Sequence, residues 1–211
     1  MKKLALLLAL LISTQSYAQP AAGRAEAPPT SKLKMPSPPE APVDLQVYPL
    51  GVEMRYERNE NQEFETHNFM NFAFALKKKN LAALIEYSRY TQDSGNSTSG
   101  VNLTHQEMLL WGEWHFVQSE APEGFMSIYG GLGLGAYNEE IKTTLMGASQ
   151  TDDGGYKVIS ALKLGASAGY NLNHTWALVA ALEGRALFAS DFDPNPIPSG
   201  VLRVGFSYKL K

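Results

Sequence analysis

Leu202-Arg203-Val204-Gly205-Phe206-Ser207-Tyr208-Lys209-Leu210 alternates without interruption: even positions are apolar or aromatic, odd positions charged, hydroxylated or glycine. A repeat of two residues is the period of an extended strand, whose successive side chains point to opposite faces. The segment reads as a strand with two unlike faces. Working back along the chain, Trp176, Leu178, Ala180, Leu182 and Phe188 oppose Glu183 and Arg185, and Val158, Leu162, Leu164 and Tyr170 oppose Lys163, Gly165, Ser167 and Gly169. Met126, Ile128, Leu132 and Leu134 oppose Ser127, Tyr129, Gly131, Gly133 and Gly135. Met108, Leu110, Trp114 and Phe116 oppose Glu107, Trp111, Glu113 and His115. Leu81, Ala83, Ile85 and Tyr87 stand against Leu84, Glu86, Ser88 and Tyr90, and Met70, Phe72, Phe74 and Leu76 against Phe69, Asn71, Ala73 and Ala75. The first strand sets Tyr48, Leu50, Val52, Met54 and Tyr56 against Gly51, Glu53, Arg55 and Glu57, which predicts eight strands in all.

The connections alternate in length. Residues 77–80, 118–124 and 171–174 make short turns, whereas 58–67, 91–104, 138–156 and 190–199 are longer and polar. Short turns on one rim and long loops on the other describe an antiparallel up-and-down meander, and an even strand count puts both termini on the short-turn side.

The 211 residues are 44% hydrophobic and 18% charged, which suits one folded domain with an appendage. Cysteine is absent, so disulfides, thiolate metal sites and cysteine nucleophiles are excluded. A net charge of -3 is too weak, and of the wrong sign, for binding nucleic acid by counterion release. Lys2 and Lys3 precede the apolar run Leu4–Ile12, and Ser16-Tyr17-Ala18 supplies the small residues that a signal peptidase reads. Residues 1–18 are therefore expected to be a signal peptide cleaved after Ala18, the run being too short for a membrane span of ~20 residues. Removal of both lysines leaves 16 basic residues against 21 acidic. Seven of the twelve prolines fall in 19–42, a segment expected to be a disordered periplasmic extension reaching up to about 70 Å as polyproline II. It reads as a spacer, or as a tether that offers a docking sequence to a partner. The folded domain is expected over 43–211.

Two closed architectures fit such a meander. A soluble barrel turns its apolar face inward; a membrane barrel turns it to lipid and its polar face to the lumen. Aromatic residues collected toward strand ends (Trp114, Phe116, Tyr170, Trp176, Phe188, Tyr208, and Tyr48 with Tyr56) match two interfacial girdles. Glycines recur on the opposite face, where they relieve crowding in a narrow lumen, and the charges there nearly balance. The apolar face is assigned to lipid.

Over residues 43–211 the chain resembles the small eight-stranded outer-membrane β-barrels of the OmpA/OmpX type. The run Gly130-Gly131-Leu132-Gly133-Leu134-Gly135-Ala136-Tyr137 is similar to their glycine-rich strands, and 203–210, with Gly205, Tyr208 and Leu210, to their C-terminal assembly signal, from which Lys211 departs. The resemblance implies an all-β transmembrane barrel with periplasmic termini, surrounded by outer-membrane lipid and lipopolysaccharide and inserted by the outer-membrane barrel assembly machinery. It implies no chemistry.

Glu53, Arg55, Glu86, Lys163, Glu183, Arg185 and Arg203 fall in the middle third of their strands. Closure of the last strand on the first brings Arg203 within expected reach of Glu53 or Arg55. Buried charge without a partner is costly, so the seven are expected to interlock as an ion-pair network that plugs an interior only just wide enough for side chains. A network with interchangeable partners could instead gate a narrow ion path.

An enzyme that modifies lipid A is a third reading. His115 is expected to point inward near the periplasmic base and His174 to lie in a periplasmic turn, while His67 and His105 sit near the outer rim without the His-Ser-Asn run that such hydrolases carry. No catalytic residue, metal site or cofactor is assigned. Asp152-Asp153-Gly154 and Asp191-Phe192-Asp193 could bridge divalent ions but read as solvated loop turns. The expectation is a monomeric barrel that meets partners through its outer loops, especially 138–156, or through residues 19–42, with a gated channel as the alternative.

Overall fold

The computed structural model describes residues 42–58, 63–95 and 99–210. The signal peptide, its cleavage site and the proline-rich segment up to residue 41 lie outside the described residues.

The strands are β1 (Val43–Arg58), β2 (Phe64–Lys78), β3 (Leu81–Gly95), β4 (Ser99–Ala121), β5 (Gly124–Leu145), β6 (Ala148–Asp153), β7 (Lys157–Asn171), β8 (Trp176–Phe188) and β9 (Ile197–Leu210). All pairings are antiparallel, and β9 returns to β1, Leu45 standing opposite Tyr208. Eight strands (β1–β5 and β7–β9) thus close a ring in which ladder hydrogen bonds leave no lateral edge, as a span through hydrocarbon requires. Val43 pairs with both Lys78 and Leu210, so the chain enters and leaves the ring on the short-turn rim.

The strand count is one more than the eight expected. The segment 138–156 is mostly not loop: β5 runs on to Leu145 and β6 folds back along it, Glu140 opposite Asp153, above the point where β7 joins the wall. The segment 91–104 likewise continues β3 and β4 in register, Gly95 opposite Gly100. β-branched Thr91, Val101, Thr104, Ile141, Thr143 and Thr144 favour extended backbone. Their polar neighbours mark height above lipid, not loss of strand. Met146 and Gly147, at φ 50° and 79°, form a two-residue turn of the kind that right-twisted hairpins favour.

Sidedness follows the alternation. On the outside Leu132, Leu182 and Met70 are 68, 63 and 63% exposed, whereas inside Leu109 and Ile159 are fully enclosed. An apolar girdle of this extent would cost about 1.5–3 kcal/mol per fully solvated side chain in water, so the wall is a lipid-facing one. Tyr48 is a correction. It was expected on the outer face, but it is 4% exposed and points into the lumen. Pro49 and Leu50 together oppose Phe72, forming a bulge that reverses the parity of β1. Proline lacks the N–H that a regular ladder position would use, which is why the extra residue falls there.

Candidate functional site

Alternation sends residues two apart to the same side, so Glu53 with Arg55, Glu86 with Ser88, and Glu183 with Arg185 each deliver a pair into the lumen. The bulge at Pro49 puts Gly51 opposite Arg203 in the β1–β9 ladder. These strands line one enclosed charged belt.

At its short-turn end, Lys163 contacts Glu113 at 2.5 Å and Glu183 at 3.3 Å, with its ammonium 4.4 Å from the Trp111 ring centroid. Tyr129 donates to Glu183 at 2.8 Å. His115 reaches Ser127 at 2.9 Å and Glu113 at 3.5 Å. At mid-height, Arg185 binds Glu183 and Glu86, both at 2.6 Å from one guanidinium nitrogen. Arg203 donates to Glu86 at 2.6 Å, to Glu183 at 3.0 Å and to Asn71 at 2.8 Å. Asn71 in turn donates to Glu86 and Ser88, and Ser88 to Glu53. Above this level, Arg55 bonds Glu53 at 2.9 Å, pairs with Glu107 at 2.8 Å and lies 4.0 Å over the Phe69 ring. His105 lies 3.4 Å from Arg55 and 3.2 Å from Glu139, stacked on Tyr137.

All seven residues singled out in the sequence lie in this belt, but with different neighbours from those anticipated. Arg203 engages neither Glu53 nor Arg55. Its guanidinium extends to β3 and β8 instead, because the bulge sets Gly51 beside it and leaves the space that a side chain would fill. Sequence reasoning had not included Asn71, Ser88, Trp111, Tyr129 or His105 in the network. It had placed Glu107 and Glu113 on the polar face without assigning them to it. The signal available for each was its parity on its strand; for Tyr48, whose ring lies 5.8 Å from the Arg203 guanidinium, the signal was the adjacent proline.

The long-loop mouth is covered by residues 189–196. Phe192 packs on Tyr137 at 5.1 Å between centroids, Asp191 accepts from Tyr137 and pairs with Lys157, and the Arg58 N–H donates to the Asp193 carbonyl. Partial burial raises the Asp191 carboxyl, but the hydrogen bonds from Lys157 and Tyr137 outweigh it and hold the group below its usual range. Asp191 lies exposed in a turn, as expected, with its carboxylate fixed there by Tyr137 and Lys157. At the other rim a cavity of about 270 Å³ lies among Asp44, Lys77, Phe125, Asn171 and Lys209.

His67 is taken up by Tyr90 at 2.9 Å, and His174 lies in the β7–β8 turn. Among the described residues no group of three or more His, Asp or Glu side chains is placed to hold a metal ion. Of the three residues expected in an assembly signal, Gly205 sits at the β1–β9 seam, Tyr208 packs against Trp176 at 4.8 Å between centroids, and Leu210 opposes Val43.

No protein-family model matches the sequence, and no curated protein does. The fold is similar to solved outer-membrane barrels. Neisserial surface protein A is 14% identical with a TM-score of 0.48, covering 80% of this chain and 97% of that one. Ail, the attachment invasion locus protein of Yersinia pestis, is 14% identical with a TM-score of 0.45, covering 81% and 99%. The N-terminal β-barrel domain of Pseudomonas aeruginosa OprF is 16% identical with a TM-score of 0.40, covering 80% and 98%.

Proposed function

We propose that this chain is a closed outer-membrane barrel that works as a non-enzymatic interaction protein, its wall serving as the anchor and its outer hairpins as the contact surface. The observation that carries the reading is the sheet standing above the wall. There β6 pairs with β5 alone, so one row of its backbone N–H and C=O groups has no ladder partner among the described residues. An unpaired strand edge is a template for adding an extended peptide. The lumen-side face of this sheet also leaves Val101 and Ile141 43% exposed and Leu145 62% exposed, with Met146 at the tip 88% exposed. The interlocked belt and the loop over the mouth support a plugged interior, since an eight-stranded lumen is just filled by its side chains.

In this reading the leader is removed after Ala18, the assembly machinery inserts the barrel through the segment holding Gly205, Tyr208 and Leu210, and residues 19–42 extend into the periplasm. The barrel is a monomer whose lipid annulus includes lipopolysaccharide. Two measurements test it. Planar bilayers holding the purified protein should show no reproducible conductance; ion-selective steps that change in Glu53→Gln or Arg203→Gln would establish transport instead. Peptides selected from a display library on the detergent-solubilised barrel should lose binding when residues 143–151 are replaced by a two-residue turn, with heat-modifiable gel migration unchanged. Selected peptides that bind the shortened protein equally well would refute the hairpin as the contact surface.

A further inference from the structure

Outward-facing glycines are of a different kind from the inward ones. At Gly133, Gly135 and Gly165 an added Cβ would come within 1.9–2.8 Å of a neighbouring atom, so packing excludes any side chain there. At Gly112 it would meet nothing within 4 Å, and at Gly130 nothing closer than 3.6 Å. Neither needs a positive φ, and glycine weakens a strand interior. Nothing in the fold itself requires these two positions to be bare.

Their positions give that bareness a shape. Ala83 opposes Gly112, which opposes Leu132, and Leu81, Trp114 and Gly130 form the next rung toward the short-turn rim. Small residues make the floor of a trough on the lipid-facing wall, with Leu76, Leu132, Trp114 and Phe116 along its sides. Its volume is about 710 Å³, inside the roughly 300–1,000 Å³ span of small-molecule sites. Lys78 closes the short-turn end, beside Lys79 in the β2–β3 turn.

We infer that this trough is a binding site for one glycerophospholipid of the short-turn leaflet, with an acyl chain laid across Ala83, Gly112 and Gly130 and the headgroup phosphate against Lys78. An apolar channel ending in a cation matches a lipid that joins a hydrocarbon tail to an anionic phosphate. What sets this stretch apart from the bare Gly184–Gly200 rung is the larger side chains of Leu76, Trp114, Phe116 and Leu132 beside its floor, together with a cation at its end. Lys78, at the level of the headgroups, adds a charge-assisted contact to an anchored tail. The inference rests on the outer wall facing lipid.

Native mass spectrometry of the full chain released from micelles tests it, with phosphatidylglycerol as the probe. Wild type should retain one lipid per barrel. Gly112→Leu/Gly130→Leu fills the trough and should lower retention at least tenfold, whereas Gly184→Leu/Gly200→Leu, at glycines equally open on the outer wall, should leave it unchanged. Lys78→Gln should weaken retention of phosphatidylglycerol several-fold and that of uncharged diacylglycerol not at all; this variant decides the matter if the leucine pair does not fold. Retention that survives filling of the trough, or that falls equally in the Gly184/Gly200 control, overturns the site. A trough-dependent dimer without lipid also overturns it, in favour of a second copy. Heat-modifiable migration and the need for detergent report the membrane barrel separately, so loss of either would identify failure of the lipid-facing reading itself.

Discussion

Arg203 on β9 and Glu86 on β3 meet at 2.6 Å across 117 residues of sequence, with β1 and β2 between their strands in the ring. The contact runs through the interior, not along the wall. Arg185 on β8 reaches the same carboxylate, so Glu86 ties β3 to two neighbouring strands on another part of the wall. A ladder joins only adjacent strands, whereas this cluster couples strands that share no backbone bond. A fully enclosed carboxylate shared by two guanidiniums is stable only while the count of charges is kept.

Glu86→Gln should accordingly destabilise the barrel by about 3–5 kcal/mol, because it removes the carboxylate charge bonded to both Arg185 and Arg203 and leaves them sharing Glu183, with Glu53 3.6 Å from Arg185. Urea unfolding in micelles, followed by tryptophan fluorescence, measures this. A change below about 1 kcal/mol would mean that the guanidiniums find other partners and that the belt tolerates rearrangement.

The sidedness of the wall can be read from one adjacent pair on β8. Leu182 is 63% exposed to the outside and Ala181 3% exposed on the inside. Leu182→Arg should cost ~2–4 kcal/mol at mid-bilayer, and Ala181→Ser clearly less, since the hydroxyl enters a polar lumen where Ala181 opposes Arg203. The reverse order in lipid vesicles would mean that the two faces are exchanged.

Period-two alternation carried the architecture, because a closed lipid-facing sheet imposes opposite chemistry on successive residues over every strand, as in Leu202–Leu210. It lost accuracy where that imposition stops. Above the lipid both faces meet water, so the alternation fades at Ser99–Thr104 and Glu140–Asp153, and strands there looked like loops. Within the belt, parity gave Glu86 and Arg203 their side of the wall but not their contact. Which charges touch depends on strand tilt and on the bulge at Pro49, neither of which leaves a periodic trace.

Gly205 is a case where a residue expected in an assembly signal has a local steric task. A Cβ at this position would lie 2.0 Å from the Val47 carbonyl oxygen and 2.8 Å from the Tyr48 Cα, because Tyr48 and Pro49 bulge against it where β1 and β9 close the ring. Gly205→Ala should therefore prevent closure even in detergent refolding without any assembly machinery, and heat-modifiable migration should disappear. Gly184→Ala, in open space on the lipid side, should fold as wild type or slightly better. Normal refolding of Gly205→Ala in vitro would move the requirement from the seam to the machinery.

The loop over the mouth should respond to acid through Asp191. Its carboxyl is held below the ordinary value of 3.8 by the Lys157 and Tyr137 hydrogen bonds, which overcome the opposing effect of partial burial. A depressed folded-state value means that the charged form stabilises the docked loop. That contribution is complete above the unfolded value and disappears as pH falls through the folded one. A spin label at exposed Ser190 should therefore show the same restricted mobility from pH 7 down to about 5 and loosen only at pH values below the ordinary carboxylate range. Asp191→Asn should show the loosened spectrum already at pH 7 and no further transition on acidification. A transition that persists in Asp191→Asn would assign the acid response to another carboxylate near the mouth, with Glu139, bonded to His105, the first to replace.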